Sequence, residues 1–231
     1  MNSSNIHVFW VQIPEGIRIE DINQWENILD YDEQITFEKY RVEFKKIEFL
    51  TGRLLLKKVI GQVLSIPLIN VVFDKTEYGK LTLKEHLTDK PFFFNLSHTN
   101  GMVVCVLSFC QEVGIDVEGI ERDCLEIMSK VFLPDEIRYV ESQTSMQRKL
   151  KAFYVVWTRK EAVVKALGTG FFLDPMTFEV PIYGNRDSNF THDFYTFQLL
   201  DNYIVTVVAL KRMGMEQIFD IEKIDFEDLY K

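Results

Sequence analysis

Cysteine is scarce in this 231-residue chain. There are three, Cys105, Cys110 and Cys124. The number is odd and no C-x-x-C pair occurs, which argues against a disulfide framework and for a reducing, cytoplasmic setting. Histidine is nearly as rare: His7, His86, His98 and His192 are scattered, without zinc-site spacing. No run reaches the roughly 18 apolar residues that cross a bilayer, so no membrane span is expected. The opening "MNSSNIHVFW" has neither the basic region nor the apolar run of a signal peptide. Positive charge is in deficit, with 26 Lys and Arg against 35 Asp and Glu, a net of −9. That is a poor balance for binding nucleic acid, which depends on neutralising phosphates. It still leaves room for a local basic patch around a smaller anion. The phosphate loop G-x-x-x-x-G-K-[ST] is absent, as is a kinase-type glycine loop.

What is present suits a globular chain. Apolar residues make up 47% and Phe alone accounts for 19 positions, enough for a sizeable core. Residues 5–13 read as a strand, and 21–30 and 33–62 as helices, the second increasingly basic. "INVVFDKTEYGK" reads as a strand with a Gly turn. "PFFFNLSHTNGMVVCVLSF" reads as two strands about a turn at Ser97–Gly101, and "EVGIDVEGI" as a further strand. Two helices broken near Pro134, a long helix over "QRKLKAFYVVWTRKEAVVKALG", strands up to about Leu210 and a peripheral acidic tail complete an α+β pattern. Helix followed by strands occurs twice, at 33–118 and 147–210, a loose internal echo.

Four short stretches concentrate the chemistry. In "GIDVE", Asp116 and Glu118 project from one face of a strand, and Ile115 and Val117 from the other. Carboxylates about 7 Å apart repel each other, and a hard cation such as Mg²⁺ removes that repulsion. A solvent-facing D-x-E pair is equally compatible. In "WTRKEAVVKALGTG", Trp157, Glu161 and Lys165 share one helical stripe at i, i+4 and i+8. A solvated ion pair ended by a Gly cap explains the charged pair too. In "FNLSHTNG", Ser97 and His98 stand where a strand ends, able to hold a phosphate or merely to fill a turn. In "TEYGK", Lys80 follows a Gly turn.

Taken together, in this order and spacing, the four stretches resemble the 4′-phosphopantetheinyl transferases of the Sfp type, over about Phe49 to Gly170. The resemblance implies a pseudo-twofold α+β fold of two similar lobes, 1–115 and 116–231, with the active site between them, in one monomeric chain. It implies transfer of the 4′-phosphopantetheine group of coenzyme A to a serine of an apo acyl or peptidyl carrier protein, with Mg²⁺, releasing adenosine 3′,5′-bisphosphate. Fatty-acid, polyketide and nonribosomal-peptide carriers all qualify. By the same resemblance Asp116, Glu118 and Glu161 hold the metal. Glu161 takes the serine proton, with Glu118 as the alternative, and Lys165 supports the leaving group. Lys80, Ser97, His98, Lys165 and Arg53 bind coenzyme A. Two positions that are basic in the family fall on Glu33 and Thr36, so Lys39 or Arg41 is expected to replace them. The carrier is expected against the basic region 39–58 and the apolar side chains of Ile127, Met128, Phe132 and Leu133. Two rivals share these residues: another Mg²⁺-dependent phosphotransferase, and a carrier-binding protein without chemistry.

Overall fold

Alternation decides the first strand. In β1 (Asn5–Gln12), Ile6, Val8 and Trp10 turn one way and Phe9 and Val11 the other, and all five are buried. Such a strand lies between two covered faces. The computed structural model of the chain describes residues 5–121, 124–170, 173–184, 191–212 and 218–231. The helix expected at 21–30 is a single turn, α1 (Ile19–Ile22), followed by a 3-10 segment, Asn23–Ile28. Next, α2 (Tyr31–Lys39) opens on a capping box, with Asp30 accepting from the Glu33 N–H and Glu33 from the Asp30 N–H.

The single helix expected over 33–62 is in fact broken. The backbone is extended at Tyr40 and Val42 before α3 (Glu43–Leu64) begins. A continuous helix would hold Phe37 about 18 Å from Phe49 along its axis. The break folds α2 back, so that Phe37 and Tyr40 both pack against Phe49.

A small hairpin, β2 (Phe73–Lys75) with β3 (Leu81–Leu83), leads to β4 (Phe93–Thr99) and β5 (Met102–Ser108). Gly101 closes that second hairpin at φ 78°, a conformation glycine adopts freely. Strand β6 (Val113–Gly119) is followed by α4 (Met128–Val131) and α5 (Pro134–Glu141), with Pro134 opening the latter as the sequence suggests. The long α6 (Met146–Leu167) precedes β7 (His192–Leu199) and β8 (Tyr203–Leu210).

The echo in the sequence is a topological repeat. In the first lobe β1, α3, β4 and β5 give the sheet order β4-β5-β1; in the second, β6, α6, β7 and β8 give β7-β8-β6. All four pairings within these two units are antiparallel. Both long helices end on a left-handed residue, Ser65 and Gly168. A buried ion pair recurs too: Glu33 with Lys57, and Glu136 with Lys160, each at about 3 Å and each with the glutamate accepting from the backbone N–H of the residue that precedes its helix. The position 115/116 falls inside β6, all seven of whose residues pair with β8.

The inner faces of the two sheets meet. Ile6, Val8, Val104 and Val106 pack with Ile115, Val117, Val205 and Val207 in one apolar layer. Helix α3 covers the outer face of the first sheet and α6 that of the second. No helix of the described residues is long and apolar enough to cross a membrane.

The acidic tail is not peripheral. Strand β9 (Ile218–Lys223) pairs in parallel with β1, and α7 (Phe226–Leu229) docks on the first lobe. Leu229 is buried, and the Tyr230 hydroxyl lies 2.8 Å from Thr51 Oγ1 on α3. Phe219, Ile224, Phe226, Leu229 and Tyr230 anchor it to the cores, while its charges and Ile218 and Ile221 stay exposed.

Candidate active site

Strands β4 and β6 belong to different sheets and are joined through side chains. Asn95 Oδ1 accepts from the Ile115 N–H at 3.0 Å, and Ser97 Oγ from the Val117 N–H at 3.4 Å. Thr99 Oγ1 donates to Glu118 Oε2 at 3.3 Å. Asn95, Ser97 and Thr99 are alternate residues of one strand and so point one way. This seam between the lobes carries the acidic residues.

Helix α6 reaches the seam because of Gly114. A methyl group there would lie 2.1 Å from the Ala162 carbonyl oxygen and 2.5 Å from the Ala166 nitrogen. Backbone rests on backbone at this crossing. It brings Trp157, Glu161 and Lys165, on one stripe of α6, over the acidic face of β6.

Asp116 is buried at the centre. Its Oδ1 accepts from Lys165 Nζ at 2.6 Å and from Ser97 Oγ at 3.0 Å, and Lys165 also donates to Ser97 at 2.7 Å. Its Oδ2 is buried with no hydrogen-bond partner among the described residues. Glu118 accepts from Trp157 Nε1 at 3.3 Å through its other oxygen. Burial and the nearby Asp116 push the Glu118 carboxyl up to about 7. The same two causes push Glu161 up, against the pull of Lys165. Asp116 thus acts on both glutamates.

The three carboxylates expected to share an ion do not form a ready cage. Among the described residues no group of three or more His, Cys, Asp or Glu side chains stands placed to hold a metal. Lys165 occupies one oxygen of Asp116, while Trp157 and Thr99 hold Glu118. The orphaned Oδ2 and the mutual repulsion are nevertheless what a cation would relieve.

A titration checks that repulsion directly. Between the ordinary carboxylate range and about 7, the folded chain holds the Glu118 proton more tightly than the unfolded one. Stability therefore falls as pH rises through that window. Glu118→Gln keeps the shape without the charge. With chelator present it is expected to raise Tm at pH 8 by about 3 °C, roughly 1 kcal/mol after allowance for solvent screening. The gain should vanish at pH 5.

Beside the seam lies a cavity of about 680 Å³. Its wall includes five of the expected residues: Arg53, Lys80, His98, Glu161 and Lys165. Asp116, Glu118 and Ser97 sit outside the wall, Asp116 and Ser97 joined to it through Lys165. Lys39 and Arg41 are absent from it, and Thr36 is present. Glu33 is buried, 2.9 Å from Arg53 and 3.0 Å from Lys57. Lys80 is tied to Glu112 Oε2 and to the Ala166 carbonyl at the end of α6, both at 2.7 Å. Part of the carrier surface expected from sequence is interior: Phe132 is buried in the second lobe's core, with Ile127 and Met128 packed against it, and Lys57 is buried in the first.

Sequence reasoning passed over several residues. Lys75 lines the cavity from β2; nothing separates it from other surface lysines. Thr99 completes an alternating N-x-S-x-T whose polarity on a strand was the available signal. Gly114 is the first letter of "GIDVE".

Comparison with known proteins shows the family. The family model described as the 4′-phosphopantetheinyl transferase superfamily matches residues 112–208, and the one described as 4′-phosphopantetheinyl transferase, N-terminal, matches 19–110. The chain is 31% identical to the 4′-phosphopantetheinyl transferase gsp of Aneurinibacillus migulanus, over 75% of this chain and 70% of the relative. It is 30% identical to the 4′-phosphopantetheinyl transferase HetI of Nostoc sp., over 73% and 70%. It is 28% identical to the L-aminoadipate-semialdehyde dehydrogenase-phosphopantetheinyl transferase of Xenopus laevis, over 70% and 61%. The chain belongs to the 4′-phosphopantetheinyl transferase family and is an enzyme of that class.

Proposed function

We propose that the chain transfers the 4′-phosphopantetheine group of coenzyme A to a serine hydroxyl of an apo acyl or peptidyl carrier protein, with Mg²⁺. The observation that carries this reading is Asp116 Oδ2, buried and unpartnered among the described residues, between two glutamates whose carboxyls it raises. Asp116, Glu118 and Glu161 would hold the ion, which when bound neutralises diphosphate charge.

The chain's own groups supply the rest. Glu161, in the cavity wall, takes the proton of the carrier serine; Glu118 is the alternative base. The serine oxygen bonds to the phosphorus that carries pantetheine, and the bond from that phosphorus to the bridging oxygen breaks. Adenosine 3′,5′-bisphosphate leaves with the electron pair, steadied by the Lys165 ammonium. Lys80 and His98 face the remaining phosphates, Lys80 after leaving Glu112. Arg53, locked on Glu33, contributes charge rather than a mobile contact. The cavity's size suits a cofactor-sized ligand, for which about 300–1,000 Å³ is usual. We place the lobe boundary in the turn before β6, and read the enzyme as a cytoplasmic monomer, since one chain carries both lobes.

The test is direct. Incubation with coenzyme A, Mg²⁺ and a panel of apo carriers is expected to add the mass of one phosphopantetheine group to at least one of them. Coenzyme A binding without any mass gain would favour the carrier-binding protein that lacks chemistry. Lys75→Ala is expected to raise KM for coenzyme A about fivefold with kcat nearly constant, the mark of a lost charge contact made equally in ground and transition states.

A further inference from the structure

Glu48 lies in α3 with no exposed surface. A buried carboxylate is costly unless its oxygens are satisfied. Glu48 Oε2 accepts from Lys45 Nζ at 2.6 Å and lies 3.3 Å from His98 Nδ1. Its Oε1 is buried without a hydrogen-bond partner among the described residues. Burial alone pushes this carboxyl up, but His98 and Lys45 outweigh it and hold it below the ordinary value. Glu48 is therefore an anion at neutral pH. It is an expensive one for α3 alone, because well-packed apolar residues usually stabilise such a position as well or better.

The anion has one contact that leads to the cavity. His98 lines it; Glu48 and Lys45 do not. A carboxylate on Nδ1 fixes the proton there and orients the ring, leaving Nε2 for a second partner: an acceptor in the neutral ring, a donor in the imidazolium. Ser97 and Thr99, the neighbours of His98 on β4, face the seam with β6, and Lys45 is the other partner of Glu48. The pairing fits a wider pattern. Arg53 stands on Glu33, Lys80 on Glu112 and His98 on Glu48, so each of these nitrogen groups of the cavity wall is aimed by an acid.

We propose that Glu48 is a positioning residue that holds His98 by Nδ1 and supports the doubly protonated ring when an anionic ligand fills the cavity, so that Nε2 then donates to a phosphate of that ligand. Lys45 clamps Glu48 in that position. The proposal rests on the coenzyme A reading of the cavity, and its test separates the two.

Two measurements decide it. In the ligand-free protein, the ring-nitrogen NMR signals of His98, assigned by their absence from His98→Ala, report which nitrogen carries the proton. Glu48→Gln is expected to shift the neutral ring away from the Nδ1–H tautomer. An unchanged tautomer distribution overturns the coupling. Coenzyme A binding is then measured by calorimetry for the unmodified protein, Glu48→Gln, His98→Ala and the double variant. Glu48→Gln is expected to weaken binding about tenfold, and to add nothing once His98 is Ala, because it acts through the ring. Independent, multiplying effects overturn the proposal. Should Glu48→Gln not fold, Glu48→Asp draws the carboxylate away from Nδ1 and carries the same expectations. Failure of the unmodified protein to bind coenzyme A removes the ligand reading, while the NMR tautomer measurement still decides whether Glu48 governs His98.

Discussion

Asp116→Asn is expected to lower the rate of carrier loading at least about a thousandfold while leaving the fold intact. The residue is nearly isosteric, so packing against Ser97 persists. What disappears is the charge at the centre of the site. Lys165 loses the anion that holds it at 2.6 Å, and the orphaned oxygen becomes part of a neutral amide. The compensation inside the folded chain is specific. Asp116 is a like-charge neighbour of Glu118 and Glu161, and both carboxyls should fall toward their ordinary range once it is gone. Tm should therefore move by only a few degrees. Initial rates of mass gain on a carrier and a thermal melt measure both halves. Near-normal loading would end the assignment of this cluster as the reactive centre.

Gly114→Ala should have the largest effect on stability. The added methyl meets backbone atoms of α6 at 2.1 and 2.5 Å, which no rotamer change can relieve. Helix and strand must separate, and a steric fault of this kind in a packed interior costs about 3 kcal/mol. For a chain of this size that corresponds to a Tm roughly 10 °C lower. Activity should fall further than the loss of folded protein explains, since the same contact sets Glu161 and Lys165 over Asp116. A melt and a loading rate normalised to folded protein separate the two effects. An unshifted Tm would show that α6 does not depend on this contact.

The elements legible in the sequence are those whose partners lie nearby or whose signal is local. Pro134 opens α5, Gly168 closes α6, alternation in "GIDVEG" marks β6, and the unbroken apolar run "MVVCVL" marks the fully buried β5. The break at residues 40–42 is silent, because apolar spacing runs on through Phe44 and Ile47 while the chain turns for the sake of Phe37. Strand β9 is silent for another reason. It is an edge strand exposed at nearly every residue, so nothing in it alternates. In the site, Asp116, Glu118, Glu161 and Lys165 came from a resemblance between motifs. Their hydrogen bonds to Ser97, Thr99 and Trp157 depend on two sheets meeting. Glu33, Glu48 and Glu112 look like any surface acids until the fold sets each against a cation.

The pairing of β9 with β1 has a consequence for the order of assembly. The second lobe from β6 to β8 is contiguous in the chain, whereas Asn5 finds its sheet neighbour only at Ile218. On the ribosome, the outer edge of β1 must wait unpaired until β9 has emerged after the whole of the second lobe, a long-range closure that is slow and leaves an open strand edge exposed to other chains. Of the two lobes, the one made first is thus the one completed last.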